Sequence, residues 1–346
     1  MNRSEALEWL RREHHEVQPG QKYSVDYFKP EDAPGLARLF FTVYGDGYPI
    51  DTFYIPERLV EENRSGTLRS VVGRTESGDI VAHSALFRSS PPNSRLYEWG
   101  LGLTLPAYRI SRAFFRISEL LMKLVGQADI DGFFGEAVCN HTATQKLSRL
   151  NGAVETALEP ALMPAEAYAA EKSAAGRVGC LLFSRIQRDG RRPLHIPERY
   201  RPNIEFLMEG LALERDVRTS AAPLPEGVLE LEVTRFAFAG VARCTVKRPG
   251  DDLRQITALE QTMVQDGWAL AQIFIDLAAE WSSTLIERLH GRGYRLGGLL
   301  PGWFGSDGFL MQKHFVEPGF EQMHILSDRG LKLVEMVRDD MRRENR

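Results

Sequence analysis

Long apolar runs, clustered cysteines and an excess of basic residues are all missing from this chain of 346 residues. No stretch approaches the roughly 18 apolar residues of a membrane helix, so we expect no membrane partner. Three widely spaced cysteines, Cys139, Cys180 and Cys244, argue against a disulfide framework. They favour a reducing compartment, which predicts a cytoplasmic protein. The formal net charge of −4 gives no basic field that would attract nucleic acid.

The remaining composition is that of a globular chain with two domains. Hydrophobic residues make up 43% of the sequence and charged residues 26%. The 8 histidines are scattered, and none stands at a metal-ligand spacing beside a cysteine pair, so we expect no metal. The length exceeds what one hydrophobic core normally fills. We predict domains over residues 1–190 and 227–346, joined by a proline-containing connector over 191–226.

Period-two and helical patterns alternate along both predicted domains, and several strands are joined by hairpins. Strands are expected at Tyr23–Asp26, Leu68–Thr75, Ile80–Arg88, Leu96–Leu105, Gly132–Val138, Val154–Ala161 and Val178–Ile186, and later at Leu229–Phe236, Ala242–Lys247, Ala269–Asp276, Arg295–Leu300 and Phe309–His314. Helical segments separate many of these strands, and a charged helix closes the chain. The alternation predicts a mixed α/β (α+β) fold in both domains.

The most specific pattern lies between Glu98 and Gly152. A long strand runs into the turn Pro106-Ala107-Tyr108-Arg109, followed by a helix from Ser111, a strand and a short helix that closes at Gly152. This arrangement resembles the acyl-CoA-binding core of the GNAT acyltransferase superfamily, and its tandem, two-domain bacterial members in particular. The segments Tyr44–Pro49 and Val138–Gln145 look like one bacterial subgroup. The resemblance covers residues 23–160 and, more loosely, 295–321, so the second domain is interpreted as a degenerate GNAT-like domain.

The resemblance implies a site for acetyl-CoA or another acyl-CoA. In the family, the turn after the long strand aims backbone N–H groups from a helix N-terminus at the pyrophosphate, and two neighbouring strands splay to admit the pantetheine arm. This places Leu103, Thr104 and Leu105 along the arm. Around the phosphates it places Arg109, Ile110, Ser111, Arg112, Ala113 and Phe114. The family turn normally carries glycines after the arginine, whereas this turn has none.

Catalytic candidates follow from the same resemblance, because acyl transfer to an amine needs a base and an acid. Glu98, early in the long strand, is the expected base, with a water-facing edge residue as the alternative. Glu136 lies inside an apolar strand, which favours a functional or paired role. The position of the family's acidic tyrosine falls at Ser148, a poorer acid. Asn140 and His141 fall at the start of the following helix, where the resemblance places both beside the cofactor. His141 either holds the pantetheine arm or relays a proton, and the alternative is that it caps the helix.

Aromatic residues and one carboxylate near the N-terminus suggest an acceptor site. Tyr44, Asp46, Tyr48 and Tyr54 are expected to hold an amine through cation–π and ionic contacts. The alternative is a small core beneath a loop, which we favour for Tyr48 and Tyr54. In the second domain the loop Gly297–Gly308 resembles the last GNAT hairpin, and we expect Trp303 at a domain interface or a substrate cleft. No catalysis is assigned to that domain.

The leading hypothesis is therefore an N-acyltransferase that moves an acetyl or short acyl group from acyl-CoA to the primary amine of a small molecule or peptide, by direct attack. The runner-up is a GNAT-fold binding or regulatory module without CoA turnover, which the missing glycines and the missing tyrosine favour. A third hypothesis is a bulkier donor, an acyl-carrier protein or aminoacyl-tRNA, which the slightly acidic chain disfavours. An oligomer is compatible with this sequence.

Overall fold

The computed structural model describes residues 1–109, 112–127, 129–165 and 176–342. These residues form two compact units. The first unit contains Met1–Ser90 and Tyr97–Phe133, and the second contains Pro91–Leu96 and Phe134–Arg346. Among the described residues, no helix is both long and apolar enough to cross a membrane.

The first unit packs helices against an antiparallel sheet. Its elements are α1 (Arg3–Glu13), β1 (Tyr23–Tyr27), α2 (Ala33–Tyr44), α3 (Pro56–Ser65), β2 (Leu68–Thr75), β3 (Ile80–Phe87), β4 (Leu96–Thr104) and α4 (Ala113–Met122). The strands β1 to β4 pair in chain order, each antiparallel to the next. An Asn2–Glu5 capping box starts α1, and Gly45, at a φ of 60°, ends α2. The apolar face of α2, with Leu36 and Phe40 fully buried, belongs to the core of this unit.

The second unit is built around a longer sheet. Its elements are β5 (Gly132–Val138), α5 (Ala143–Leu150), β6 (Val154–Met163), β7 (Val178–Ile186), β8 (Arg192–His195), α6 (Arg201–Met208), β9 (Arg215–Arg218), β10 (Glu230–Phe236), β11 (Val241–Arg248), α7 (Arg254–Gln265), β12 (Leu270–Asp276), α8 (Ser282–His290), β13 (Arg295–Leu300), β14 (Gly308–His314) and α9 (Asp328–Arg342). The strand order is β5-β7-β6-β13-β14-β12-β11-β10. Within this sheet, β11 and β12 are the one parallel pair among the strand pairs with a described register. The predicted mixed α/β class is confirmed.

The second unit contains an internal repeat. The run β5-α5-β6-β7 and the run β12-α8-β13-β14 have the same element order, and their strands lie in the equivalent orders β5-β7-β6 and β12-β14-β13. Both β6 and β13 carry a bulge at their third residue, Thr156 and Gly297. The residues after the two bulges, Ala157 and Gly298, pair with each other across antiparallel strands. Because equivalent residues meet, a local two-fold axis passes between them.

Gly298 is required where it stands. Its φ of 146° is in a region that favours glycine, and a Cβ added to it would lie 2.6 Å from the Cβ of Ala157. The seam between the two repeats therefore depends on one glycine.

The segment that we interpreted as a polar connector is folded into the second unit. Strands β8 and β9 form a small parallel sheet, and Tyr200 is buried with its hydroxyl donating to Asp340 Oδ2 at 2.7 Å. The side chain of Arg215 is buried between the carboxylates of Asp189 and Asp307. Strands of four residues are too short to show an apolar period, which is why the sequence missed them. The domain boundaries themselves stay a prediction.

Trp303, which we expected at a domain interface or a substrate cleft, is a core residue of the second unit. It is 2% exposed, and its ring stacks on Phe274 at a centroid distance of 5.2 Å. Phe134 packs against the same ring at 5.0 Å. The glycine-rich loop before β14 therefore places a large side chain in the hydrophobic core.

Candidate functional site

A bulge interrupts β4 at the position where the resemblance puts the donor arm. The residue Ala82 of β3 faces Thr104 and His83 faces Leu103, whereas Ala85 faces Gly100, so β4 carries an extra residue. Leu101 within the bulge has a φ of 57°, an uncommon conformation for a residue with a side chain. Such a bulge re-aims backbone groups of one strand away from its partner.

A buried histidine holds the bulge from β3. The Nδ1 atom of His83 lies 2.9 Å from the carbonyl oxygen of Leu101, and its Nε2 atom lies 3.0 Å from Ser70 Oγ. Burial lowers the pKa of His83 to about 4, against the opposing effect of the hydrogen bond to Leu101. A carbonyl only accepts, so the neutral ring carries its proton on Nδ1, and Ser70 donates to Nε2. The histidine is therefore a fixed donor to the bulge.

A second polar contact holds the preceding residue. Ser84 Oγ donates to the carbonyl oxygen of Gly100 at 2.9 Å, and Trp99 Nε1 donates to Ser84 Oγ at 3.1 Å. Two successive carbonyls of β4 are thus tied to side chains of β3. These ties fix the bulge without a regular ladder of backbone bonds.

The residues predicted along the donor arm do not share one orientation. Leu103 and Leu105 are buried in the core of the first unit, and Leu105 N donates to Val81 O at 2.9 Å. Because backbone groups alternate in direction along a strand, those of Thr104 point away from β3. The backbone groups of Leu103 and Leu105 are thus turned toward β3, and the role of the three residues along a donor arm stays a prediction.

The turn after β4 is described in part. Arg109 and Arg112 are exposed, Arg112 stands directly before α4, and Ala113 is buried in its first turn. Ile110 and Ser111 lie outside the described residues, so the predicted helix from Ser111 is described only from Ala113. The two guanidinium groups are the charges that this turn offers to a phosphate.

Phe114 covers part of β4. A Cβ added to Gly102 would lie 2.6 Å from Phe114 Cζ, so the ring rests directly on the bulge. The residue was predicted beside the phosphates, and the structure places its side chain on the strand. This contact opposes an arm along the same stretch of β4.

Glu98 and two tyrosines lie close together in the first unit. The side chain of Glu98 is half-buried, and its charge contributes to the raised pKa of Tyr48, after the larger effect of burial and a contribution from Tyr44. The rings of Tyr44 and Tyr48 have centroids 4.9 Å apart, and Phe40 lies 5.1 Å from Tyr48. Aromatic faces beside a carboxylate suit a cationic amine.

The other two residues predicted in this group, Tyr54 and Asp46, have partners within the protein. Tyr54 is fully buried, and its hydroxyl accepts from Tyr48 N at 2.8 Å and donates to Gly45 O at 2.9 Å. Asp46 pairs with Arg11 at 3.2 Å. Tyr54 therefore supports the loop as a core residue, and Asp46 is paired with α1.

Glu136 belongs to a buried cluster of the second unit. Arg243 Nη2 donates to Glu136 Oε1 at 2.7 Å and to Glu159 Oε1 at 3.1 Å. Gln272 Nε2 donates to the same oxygen of Glu159 at 2.7 Å, while Glu159 Oε2 is buried with no hydrogen-bond partner. Burial, and then the charge of Glu136, raises the pKa of Glu159 to about 7, against the lowering effect of Arg243. Glu136 is thus paired, and its catalytic role stays a prediction.

The other predicted residues of the second unit lie around α5. The side chains of Asn140 and His141 are half-buried, and His141 Nδ1 has no partner. Ser148 is buried in α5. Gln145 of the same helix donates to His324 O at 2.7 Å and accepts from Leu326 N at 2.9 Å, so it attaches the segment before α9. Glu98 lies in the first unit and the other catalytic candidates in the second. Their roles stay predictions.

Sequence reasoning missed several polar residues inside apolar strands. His83, Ser84 and Trp99 around the bulge, and Arg243 and Gln272 beside Glu159, were interpreted as ordinary strand residues. The signal that was present is the placement of a histidine or an arginine in a strand that is otherwise apolar. Among the described residues, no group of three histidine, cysteine or acidic side chains is placed to hold a metal ion.

No family model matches the sequence, and no curated protein matches it. Solved structures similar to parts of this chain include acetyltransferases, two of which are described as members of the GNAT family. One is a ribosomal-protein-S5-alanine acetyltransferase from Vibrio fischeri, at 14% identity and a TM-score of 0.39 over 51% of this chain and 97% of that one. Another is a spermidine/spermine N-acetyltransferase from Vibrio cholerae, at 12% identity and a TM-score of 0.37 over 48% of this chain and 93% of that one. A third is a putative acetyltransferase from Salmonella typhimurium with its cofactor acetyl-CoA, at 11% identity and a TM-score of 0.38 over 49% of this chain and 96% of that one.

Proposed function

We propose that this chain is a GNAT-type N-acyltransferase that moves an acetyl or another short acyl group from acyl-CoA to a primary amine by direct attack. The observation that carries the proposal is the bulge of β4, held by His83 and Ser84, on the strand that also bears Glu98. A re-aimed strand backbone beside a carboxylate and aromatic rings is the arrangement that amine acylation needs.

The residues available to a donor lie beside the bulge. Arg109 and Arg112 offer exposed charges to phosphate groups, and Thr104 offers backbone N–H and C=O groups to an amide-bearing arm. Acyl-CoA, when bound, supplies the activated acyl group as a thioester. Phe114 must leave Gly102 for the arm to lie there, because ring and arm would fill the same space.

The acceptor amine has its own group of residues. Tyr44 and Tyr48 present aromatic faces to an ammonium group, and the carboxylate of Glu98 takes its proton, which frees the nitrogen lone pair. The neutral amine then attacks the thioester carbonyl carbon, so that the N–C bond forms as the C–S bond breaks. The departing thiolate takes a proton from an acid that is not assigned, and the second proton of the nitrogen, released as the amide forms, restores that acid. We propose a small-molecule or peptide amine as the acceptor class.

A thermal shift with acetyl-CoA tests the donor site. A ligand that binds only the folded state stabilises it by about 2.7 kcal/mol at a hundredfold excess over its Kd, so the Tm should rise at millimolar acetyl-CoA. If the Tm stays constant, the donor site is absent, and the alternative, a binding module without CoA turnover, takes its place. The contact of Phe114 with Gly102 favours that alternative.

The base is tested by Glu98→Gln. We expect kcat to fall about 100-fold or more with acetyl-CoA and a polyamine as probes, because the amide cannot take the proton. The exposed Glu8→Gln is the matched control and should keep full activity. Unchanged turnover in Glu98→Gln would show that another group is the base.

A further inference from the structure

The parallel strands β11 and β12 of the second unit stop pairing with each other before they end. Their pairing runs from Val241 and Leu270 to Thr245 and Phe274. Strand β11 continues to Arg248 beside β10, and β12 continues to Asp276 beside β14. The backbone groups that β11 and β12 would otherwise share need other partners over these last residues. Helices α7 and α8 begin shortly after these two strand ends.

A segment of the chain itself crosses this opening. Residues 222–229, which we call the strap, contact the turn before α7 at one end and the first turn of α8 at the other. Asp251 N donates to Pro225 O at 2.9 Å, and Asp252 N donates to Gly227 O at 2.9 Å. Thr284 Oγ1 donates to Ala222 O at 2.6 Å.

The strap is buried and closely fitted. Leu224 is 8% exposed, and Leu229, whose N–H donates to Asp252 O at 3.0 Å, is fully buried. A Cβ added to Gly250 would collide with Gly227 O and lie 2.5 Å from Leu229 N. Only a residue without a side chain allows so close an approach of two backbones.

The strap takes the donors that an anionic ligand would use. N–H groups before a helix start bind phosphates when they are free, and here two of them bind carbonyl oxygens of Pro225 and Gly227. The carboxylate of Asp252 accepts from Arg254 N at 3.0 Å, and Asp251 adds a second negative charge. A phosphate is therefore disfavoured, whereas an uncharged chain with amide groups fits.

We propose that the second unit contains, between the ends of β11 and β12, a groove for an extended, amide-bearing chain, and that the strap fills this groove as an internal ligand. Under the proposed function, β4 and α4 of the first unit serve the acyl donor, and the strap prevents β11 and α7 from binding a second donor arm. The occupant is identified by its chemistry: backbone carbonyls on helix-start N–H groups and a buried leucine between them.

The test compares Gly250→Ala with Gly190→Ala, a control at a glycine with open space around it and an ordinary φ. Hydrogen exchange of residues 219–229 should be slow in the unaltered protein and in the control, and about tenfold faster or more in Gly250→Ala, because the added Cβ displaces the strap. If Gly250→Ala does not fold, Thr284→Val serves, since it removes only the bond to Ala222. Fast exchange in the unaltered protein overturns the proposal, as does exchange that neither variant changes.

Binding of pantetheine, the uncharged arm of CoA, tests the vacated groove. Calorimetry should give an additional equivalent bound by Gly250→Ala relative to the unaltered protein and to Gly190→Ala. A displaced strap without an additional equivalent would show that the groove takes no such arm. The number of bound equivalents is compared with that of the unaltered protein, so the result does not depend on whether the first unit binds CoA. A failure of the donor proposal would be seen separately, as an absence of CoA binding by the unaltered protein.

Discussion

Replacing Glu159 by glutamine should stabilise the second unit at neutral and alkaline pH. Glu159 is fully buried between Arg243 and Gln272, and its pKa is raised from 4.5 to about 7. The folded state therefore holds a proton on Glu159 at pH values where the unfolded chain has lost it. A carboxyl with a raised folded pKa contributes its full stability below the unfolded pKa, and that contribution is lost as the pH rises through the folded pKa.

The magnitude follows from the shift of the pKa. Moving from 4.5 to about 7 corresponds to about 3 kcal/mol of unfolding free energy lost between those pH values. Glutamine removes the titration, and Glu136 still neutralises Arg243 in the variant. The difference in unfolding free energy, Glu159→Gln minus the unaltered protein, should therefore rise with pH by about 3 kcal/mol and level off above pH 7.

Urea unfolding at a series of pH values, followed by the fluorescence of the tryptophans, measures this difference. Titrating groups that do not interact with Glu159 cancel in the subtraction as long as the m-values agree. Glu226→Gln, at an exposed glutamate of the same unit, is the matched control and should show no such rise. If the difference in unfolding free energy between Glu159→Gln and the unaltered protein does not change between pH 4.5 and 8, the inference that Glu159 keeps its proton in the folded state is wrong.

Phe114→Ala should uncover Gly102 and lower the Kd for CoA about tenfold, as measured by calorimetry. The control Phe115→Ala, at an exposed residue of the same helix, should leave the Kd unchanged. Weaker CoA binding in Phe114→Ala would contradict the interpretation that the Phe114 ring blocks the donor arm. Tyr54→Phe should cost about 1–3 kcal/mol of unfolding free energy, because Gly45 O and Tyr48 N lose a buried partner, while Tyr44→Phe, at an exposed ring, should cost less. His83→Leu should lower the Tm by removing the donor to Leu101 O, and His83→Asn should recover part of the loss if an N–H at that position is what matters.

Hydrophobic periodicity was sufficient for most elements of the fold. The strands of the second repeat were predicted within about two residues, since each is an apolar run between clear turns. Strands β8 and β9, at Arg192–His195 and Arg215–Arg218, were missed because four residues define no period. A pairing between residues 107 positions apart, such as Glu136 with Arg243, leaves no local signal in one sequence.

The bulge was missed for a different reason. Gly100 and Gly102 flank Leu101, and glycines inside a strand pattern are a known sign of a bulge, so the signal was present and was not used. The orientations of Leu103 and Leu105 depend on that extra residue, since a shift of one position reverses which side chains face the core. The sequence thus predicted the strand and missed the bulge that sets the direction of its side chains, while the roles of the site residues stay predictions.

The pairing of Ala157 with Gly298 has a consequence for how the protein responds to dilution and to mutation. Two separate copies joined at such a seam would come apart at low concentration, whereas copies on one polypeptide remain at a high effective concentration of each other. A symmetric dimer must also place the same residue on both sides of its axis. Joining the two copies in one polypeptide removes that constraint, so the residue at the axis can be an alanine, Ala157, in one copy and a glycine, Gly298, in the other.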